Sequence, residues 1–216
     1  MTAFGEDGME IKIPESTKVG ISEDDVSKLE EVELSDPAHD HARKLWLFSF
    51  YFAGMRASDL FRLNWSDIKN NRLYYTMGKN KKVVSLKIPE KAARILDHYR
   101  QFQENDNDLV FPELKGLDFS DIYNAKRAIS CAISKTDKVL RLYVAPAAKI
   151  KYSITLHTFA IIAGDKIPIQ TLQKLYRHSD IRTTIAYQAN FIHREADDAL
   201  GAVLNKPKAQ PAPVMA

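Results

Sequence analysis

The feature that most restricts the fold of this sequence is a strongly apolar segment at residues 38–53. Its large apolar side chains include Leu45, Trp46, Phe48, Phe50 and Tyr51. Ser35-Asp36-Pro37 precedes the segment and is typical of a helix start, with proline at the first helical position. Gly54 follows it and is typical of a helix end. The pattern predicts a buried helix, which the rest of the chain must enclose.

Further patterns predict a mainly helical chain with one β-hairpin. Helical patterns cover residues 23–32, 57–63, 90–103, 119–147 (as one helix or two), 154–163, 168–176, 180–188 and 192–204. Two segments rich in strand-forming residues, 72–77 and 82–88, flank Gly78-Lys79-Asn80-Lys81, and this arrangement indicates a hairpin. The predicted fold class is therefore mainly α with a small β-hairpin or sheet, an α+β protein.

The ends of the chain differ in composition from its centre. Residues 1–21 are polar and contain three glycines and a proline, so we expect a linker remnant there. Residues 22–204 carry the apolar periodicity and are predicted to form one domain. Residues 205–216 contain three prolines and no apolar periodicity, which predicts a disordered tail.

The composition gives no support to a membrane or secreted protein. No apolar run reaches the length of a membrane span, and the acidic N-terminus lacks a signal-peptide pattern. Cys131 is the only cysteine, which excludes an intrachain disulfide and favours a reducing, cytoplasmic setting. We expect Cys131 to behave as a small buried apolar residue.

The net charge of +3 conceals a strong asymmetry along the chain. Residues 1–36 hold eleven acidic residues and three lysines, whereas the remainder holds 28 Lys and Arg against 17 Asp and Glu. A basic body favours a polyanionic partner such as nucleic acid, although a solvated basic surface would give the same count.

Four residues are candidates for chemistry on such a partner. Arg56 lies in a turn between two helices, and Asp59, one helical turn further on, is placed to orient it. Lys79 lies in the hairpin turn, His178 lies at a helix junction, and Tyr187 follows His178 by nine residues. Each residue alone has an ordinary explanation: a surface ion pair, a solvated lysine, a capping turn and a core tyrosine.

Taken in order, these residues resemble the tyrosine recombinase (phage integrase) family. The segment 54–68, which begins Gly54-Met55-Arg56, resembles the family's first arginine motif, and Gly78-Lys79-Asn80-Lys81-Lys82 resembles the hairpin that carries its lysine. The segment 175–184, followed by Tyr187, is similar to the closing motif, in which a histidine precedes the nucleophilic tyrosine by nine residues. The resemblance extends over residues 22–204, which would then form the catalytic domain.

The resemblance implies a role for each candidate residue. Tyr187 would attack a DNA phosphodiester and form a 3′-phosphotyrosyl bond, Arg56 would bind the phosphate, and Lys79 would protonate the leaving 5′-oxygen. His178 would hydrogen-bond the phosphate, and His157 would assist proton transfer. The implied function is site-specific DNA recombination or integration, as in a mobile-element integrase, with no cofactor and no metal.

The sequence departs from this family at a second arginine. The family carries His-x-x-Arg-His before the closing motif, but no arginine lies between Arg141 and Arg177, and Arg177 stands where glycine is common. In one alignment Leu156 takes the place of the missing arginine. In the other alignment, Ala160 takes the place of the missing arginine. We favour this second alignment because the segments on both sides then match the corresponding family segments. Since one lost donor typically costs about 10²–10³ in rate, we expect this chain to bind DNA and to cleave it poorly.

Binding to double-stranded DNA would rest mainly on contacts between basic side chains and phosphates. We assign this role to Lys81, Lys174, Arg177 and Arg182. Residues 194–204 have an amphipathic pattern. In the resembled family such a helix packs on a neighbouring protomer, which predicts a homo-oligomer on DNA, and packing on its own domain is the alternative. Family members usually carry a separate DNA-binding domain before the catalytic one, so a chain that begins in a linker is expected to be a truncated form.

Three other classes compete with this interpretation. A DNA-binding or assembly module without catalysis fits the missing arginine, but the four candidate residues kept in order argue against a decayed site. A helical protein-interaction domain fits the fold class but leaves the basic charge unexplained. A metal phosphoesterase has little support, because the histidines show no metal-ligand spacing.

Overall fold

The computed structural model describes residues 20–79, 81–118, 121–144, 150–164 and 166–187. Its helices are α1 (Glu23–Glu31), α2 (Pro37–Tyr51), α3 (Ala57–Leu60), α4 (Glu90–Arg100), α5 (Ile122–Tyr143), α6 (Thr155–Ala163) and α7 (Ile169–Tyr176). Residues 181–187 are also helical and are called α8. Its strands are β1 (Ile68–Lys69), β2 (Arg72–Thr76) and β3 (Val83–Lys87). The architecture is mainly α with one small antiparallel sheet.

Helix α2 lies at the centre of the described structure. The Asp36 side chain accepts a hydrogen bond from the Ala38 backbone N–H at 2.8 Å, and Pro37 occupies the first turn. Trp46 and Phe48 are completely buried, and α2 packs against α4, α5 and α6. Because α2 is enclosed by three helices, it is a rigid support for the turn that follows it.

The sheet is a meander in the order β1-β2-β3, and both strand pairs are antiparallel. Strands β2 and β3 pair so that Tyr75 lies opposite Val84. Leu73 and Val84 are buried, whereas Gly78 and Lys79 in the turn between these strands are exposed. The sheet therefore packs its strands on the core and presents its turn to solvent.

Two apolar clusters hold these elements together. The larger cluster surrounds α2, extends to α4, α5 and the sheet, and includes Trp46, Phe61 and Phe111. The smaller cluster joins α6 and α7 to the segment after α2, and its buried members are Ala53, Ala160, Ala163, Leu172 and Tyr176. Tyr187 packs against the smaller cluster, so this cluster sets the position of α8 relative to α6 and α7.

The predicted fold class is confirmed, and the helical patterns and the hairpin match elements within the described residues, with small shifts at the ends. Helix α5 is one continuous helix rather than two. No sequence pattern predicts β1, because a strand of two residues has no alternation to detect. The prediction of a buried Cys131 is wrong: the residue is exposed on α5. The buried positions of α5 are Ala125, Ile129, Thr136 and Leu140.

Several expectations concern residues beyond this description. The linker remnant at 1–21 is described only at Gly20 and Ile21, and the predicted helix at 192–204 and tail at 205–216 lie outside the described residues. Within the part that is described, no helix is long and apolar enough to cross a bilayer.

Candidate active site

Arg56 lies in a tight turn between α2 and α3. The Ser49 carbonyl accepts backbone N–H bonds from Gly54 at 2.8 Å and from Met55 at 3.1 Å, which reverses the chain at the end of α2. Gly54 has a φ of +81°, and a Cβ on it would lie 2.2 Å from the Cα of Leu156 in α6. Only glycine permits so close an approach, and it brings the Arg56 turn directly beside α6.

The Arg56 guanidinium is suited to bind an anion. The residue is half-buried, and its Nη1 atom is buried without a hydrogen-bond partner. An unpaired buried guanidinium nitrogen is costly, and a ligand that satisfies it removes that cost. The expectation that Asp59 orients Arg56 is wrong, because the Asp59 carboxylate accepts its hydrogen bonds from other groups.

Asp59 fixes the hairpin turn instead. Its Oδ1 atom accepts hydrogen bonds from the Gly78 backbone N–H at 3.0 Å and from the Ser58 hydroxyl at 3.4 Å, and the residue is only 7% exposed. A Cβ on Gly78 would lie 3.0 Å from the same carboxylate oxygen. Asp59 therefore connects the helix that follows Arg56 to the turn that carries Lys79.

A second attachment joins the hairpin to the junction between α7 and α8. Lys82 Nζ donates a hydrogen bond to the Arg177 backbone carbonyl at 3.0 Å. Arg177 ends α7 in the left-handed conformation, with φ 56° and ψ 31°, and His178 follows directly. The hairpin therefore spans from the Arg56 turn to the His178 junction, and the exposed Lys79 lies between the two attachments.

His157, His178 and Tyr187 come together in one aromatic cluster. The ring centroids of His157 and Tyr187 are 4.5 Å apart. Those of His178 and Tyr187 are 5.6 Å apart, with nearly parallel planes at 17°. Tyr176 borders His178 and Tyr187 at 5.4 and 6.1 Å. Helix α6, the α7–α8 junction and α8 thus bring the three rings together.

Hydrogen bonds orient the members of this cluster. His178 Nδ1 lies 3.0 Å from Thr184 Oγ1, so Nε2 is the nitrogen that remains for a ligand. The Tyr176 hydroxyl donates to the Leu156 carbonyl at 2.9 Å, which ties α7 to α6. His157 is only 5% exposed, whereas Tyr187 is half-buried and accessible from outside.

The electrostatics of the junction favour a neutral His178. Burial lowers the pKa of His178, and the positive charges of Arg56, Lys79 and Lys82 lower it further. The hydrogen bonds between Gly78 and Asp59 and between Lys82 and Arg177 join the arginine turn, the hairpin and the histidine junction. An anion bound there would offset the excess of positive charge.

A narrow pocket, partly open to solvent, lies beside Arg56. Leu156, Tyr75 and Tyr176 contribute to its walls. Leu156 therefore borders the same pocket as Arg56, whereas Ala160 is completely buried in the smaller apolar cluster. Of the two positions considered for the missing arginine, Leu156 is the one beside Arg56.

The four residues expected to contact DNA phosphates lie on the hairpin and around the α7–α8 junction. Lys81 is exposed in the hairpin turn, with a φ of +55°. Lys174 is exposed in the last turn of α7. Arg182 is exposed and pairs with Asp180 at 2.9 Å, and Arg177 is half-buried. All four lie on the elements that also carry Lys79 and His178.

Three residues of the site have no clear signal in the sequence. Tyr75 looks like any strand tyrosine, Lys82 is one of several neighbouring lysines, and Thr184 is one of a pair of threonines. Their roles come from strand register and from the left-handed turn at Arg177. A search for polar residues beside the closing motif would find Thr184 but not the other two.

Among the described residues, no group of three or more His, Cys, Asp or Glu is placed to hold a metal ion. His157 and His178 are both ring neighbours of Tyr187.

Known proteins share the sequence pattern of this chain. The phage integrase family matches residues 21–194. The tyrosine recombinase XerA of Pyrococcus furiosus is 26% identical over 180 residues, which cover 82% of this chain and 59% of that protein. The tyrosine recombinase XerC of Salmonella typhi is 29% identical over 183 residues, which cover 82% of this chain and 57% of that protein. The chain spans less than two thirds of the length of these relatives.

Solved structures share its fold. A crystal structure of XerA recombinase has a TM-score of 0.60 at 17% identity and covers 91% of this chain and 67% of that one. XerH site-specific recombinase, bound to its palindromic difH substrate in a post-cleavage complex, has a TM-score of 0.55 at 18% identity. The match covers 87% of this chain and 54% of that one. At these identities the likeness concerns the fold. Because the family match covers most of the sequence and every candidate site residue, this chain belongs to the phage integrase family of tyrosine recombinases.

Proposed function

We propose that this chain is the catalytic domain of a site-specific DNA recombinase that cleaves and rejoins strands through Tyr187. The observation that carries this proposal is the convergence of Tyr187, His157 and His178 in a site that also contains Arg56. A phenol near two imidazoles and a guanidinium with an unpaired nitrogen is suited to attack on a phosphodiester. Membership of the phage integrase family supports the same chemistry.

The proposed cleavage step conserves the energy of the DNA backbone. The Tyr187 oxygen forms a bond to the scissile phosphorus while the bond from phosphorus to the 5′-oxygen breaks. The phenolic proton moves to His157, the nearer of the two imidazoles, and Lys79 supplies the proton that completes the leaving 5′-hydroxyl. The product is a 3′-phosphotyrosyl bond. Attack by a new 5′-hydroxyl reverses the step and seals the strand without a cofactor.

Negative charge accumulates on the non-bridging oxygens during this transfer, so the site must supply cations and donors. Arg56 offers the guanidinium nitrogen that has no partner. His178 offers Nε2, since its Nδ1 faces Thr184. Each such preorganised donor is worth about 10²–10³ in rate.

Double-stranded DNA is the proposed substrate and partner. Besides the hairpin and junction residues, α5 presents exposed basic side chains, namely Lys126, Arg127, Lys135, Lys138 and Arg141. Its acidic residue, Asp137, is half-buried and accepts a hydrogen bond from the Tyr152 backbone N–H at 2.6 Å. Assembly of protomers on DNA through residues 194–204 belongs to this proposal and concerns a segment outside the described residues.

Trapping of a covalent adduct tests the proposal. DNA that binds the chain is first selected from a randomised duplex pool, and nicks are then introduced so that cleavage releases a short fragment and cannot be reversed. We expect a shifted band on a denaturing gel for the unaltered chain and none for Tyr187→Phe. Tyr123→Phe is the matched control, because Tyr123 is 75% exposed on α5. Equal adduct formation by Tyr187→Phe would refute Tyr187 as the nucleophile.

A second candidate function is DNA binding without efficient cleavage. It is favoured by Leu156, which contributes an apolar side chain to the pocket beside Arg56. Under this alternative the chain retains DNA in a salt-dependent manner but gives no covalent adduct in the same experiment. An adduct that depends on Tyr187 would dismiss it.

A further inference from the structure

Arg177 occupies a backbone conformation that does not suit an arginine. It is the C-cap of α7 with φ 56° and ψ 31°, a left-handed conformation in which glycine avoids the steric cost of a Cβ. Unfavourable backbone conformations persist at functional sites when the surrounding structure over-determines them. The side chain that makes this residue unfavourable is therefore a candidate for a specific role.

Several hydrogen bonds hold the backbone at this point. Lys82 Nζ donates to the Arg177 carbonyl at 3.0 Å, and the His178 backbone N–H donates to the Gln173 carbonyl at 3.1 Å. The Gln173 side-chain amide donates to the His178 carbonyl at 3.2 Å. These three bonds end on main-chain atoms of residues 177 and 178, so they would form equally well with glycine at position 177.

The Arg177 side chain is half-buried and acts on the same part of the site as Arg56. Burial raises the pKa of Tyr75 to about 12, and the nearby Asp59 carboxylate adds to this rise. The charges of Arg56 and Arg177 both oppose it. Tyr75 lines the pocket beside Arg56, so two guanidinium groups lie near this wall of the site.

Helix α6 supplies no cation to the site. Its sequence, Thr155 to Ala163, contains no lysine or arginine. Leu156 borders the pocket with an apolar side chain, and Ala160 is buried away from it. A phosphate in the site would therefore meet the guanidinium of Arg56 on one side, and a second guanidinium would have to come from an element other than α6.

We propose that Arg177 is the second guanidinium that binds the scissile phosphate, and that it reaches the site from the α7–α8 junction instead of from α6. The inference rests on the proposed function for the identity of the phosphate. A phosphodiester has two non-bridging oxygens, and two guanidinium groups from different elements can bind one each. Arg177 directly precedes His178 at the end of α7, so one junction supplies two of the phosphate ligands.

Phosphate binding measured without catalysis is the first test. Inorganic phosphate is titrated into the full chain while the ring protons of His178 are followed by NMR. We expect Arg177→Ala to raise the dissociation constant by at least about 10-fold. Arg94→Ala, which removes an exposed arginine that pairs with Glu90 on α4, should leave it unchanged. An unchanged dissociation constant in Arg177→Ala would overturn the inference.

A glycine variant separates a binding role from a structural one. Arg177→Gly removes the side chain and also suits the left-handed turn, so we expect a higher melting temperature together with weaker phosphate binding. A residue that merely supports the fold cannot give this combination, because its loss would lower the melting temperature. Retained phosphate affinity in the glycine variant would also contradict the inference.

Cleavage of two nicked substrates gives the decisive comparison. On an ordinary phosphodiester, Arg177→Ala should reduce adduct formation by at least about 100-fold. On a substrate with a methylphosphonate at the scissile position, one anionic oxygen is absent and the loss should shrink to a few-fold. Equal losses on both substrates would overturn the inference. If no variant forms an adduct while phosphate binding still depends on Arg177, the proposed cleavage fails and Arg177 remains a phosphate ligand.

Discussion

Gly54 is the residue whose replacement most directly tests how the site is built. Its Cβ would lie 2.2 Å from the Leu156 Cα and 2.5 Å from the Leu156 backbone nitrogen. Real Cβ atoms do not approach main-chain atoms so closely, so Gly54→Ala must push α6 away from the Arg56 turn. We expect both the free energy of unfolding and phosphate binding to fall.

The magnitude follows from two separable effects. A Cβ in the left-handed region costs about 1–2 kcal/mol, and overpacking against a rigid neighbour adds about 1–3 kcal/mol. Gly116 has a similar φ of +74°, but nothing lies within 4 Å of its hypothetical Cβ. Gly116→Ala is therefore the matched control, and it should show the backbone cost alone. The difference between their free energies of unfolding measures the cost of the steric overlap with α6.

Urea unfolding gives the free energy of unfolding of both variants, and thermal unfolding gives their melting temperatures. Since 1 kcal/mol shifts the melting temperature of a domain of this size by about 2–4 °C, Gly54→Ala should melt clearly below Gly116→Ala. The contact involves main-chain atoms of Leu156, so adding Leu156→Ala should not restore stability. Equal destabilisation by the two glycine replacements, or rescue by Leu156→Ala, would refute the packing argument.

Three further predictions concern the hairpin, the histidine and the DNA interface. Asp59→Ala removes the acceptor for the Gly78 N–H, so it should lower the unfolding free energy by about 1 kcal/mol and reduce adduct formation more than Ser58→Ala does. The pKa of His178 is lowered in the folded state, so the unfolded chain binds its proton first as the pH falls. The stability that neutral His178 contributes is present above the unfolded pKa of about 6.5 and is lost below it. Urea titrations between pH 5 and 8 give the unfolding free energy at each pH, and this free energy should depend less steeply on pH in His178→Gln than in the unaltered chain. A DNA interface of four phosphate contacts should lose about 100-fold in affinity between 50 and 200 mM salt, and fluorescence anisotropy that shows no loss would count against it.

The elements that could be predicted from sequence are those with local causes. The start of α2 follows from Asp36 and Pro37, and the hairpin follows from strand-forming segments around Gly78. The resemblance to tyrosine recombinases also points to Arg56, Lys79, His178 and Tyr187 as candidates, because the order of the motifs is itself a sequence property. Their roles remain predictions, whereas their assembly into one site is a feature of the structure.

The partners of these residues depend on contacts between distant segments, which spacing does not encode. Asp59 lies one helical turn after Arg56, so local geometry favours an ion pair between them. In the structure, the Asp59 carboxylate accepts a hydrogen bond from the Gly78 backbone N–H in the hairpin instead. Cys131 illustrates the same limit on a helix. Its apolar character suggested burial, whereas the packing of α5 turns it to solvent and buries Ile129. In both cases a tertiary contact overrides a sound local argument.

The two positions proposed for the missing arginine, 156 and 160, have different surroundings in the structure. Leu156 and Ala160 lie four residues apart and therefore on the same face of α6, about one turn of 5.4 Å from each other. Sequence neighbours favour Ala160, but Gly54 packs on Leu156, and Ala160 lies against Leu172 and Tyr176 in the smaller cluster. An arginine at 160 would bury an unpaired charge among apolar side chains, whereas one at 156 would reach the pocket. Because an apolar side chain at 156 preserves the cluster, this helix can lose its cation while the Tyr187 site keeps its shape.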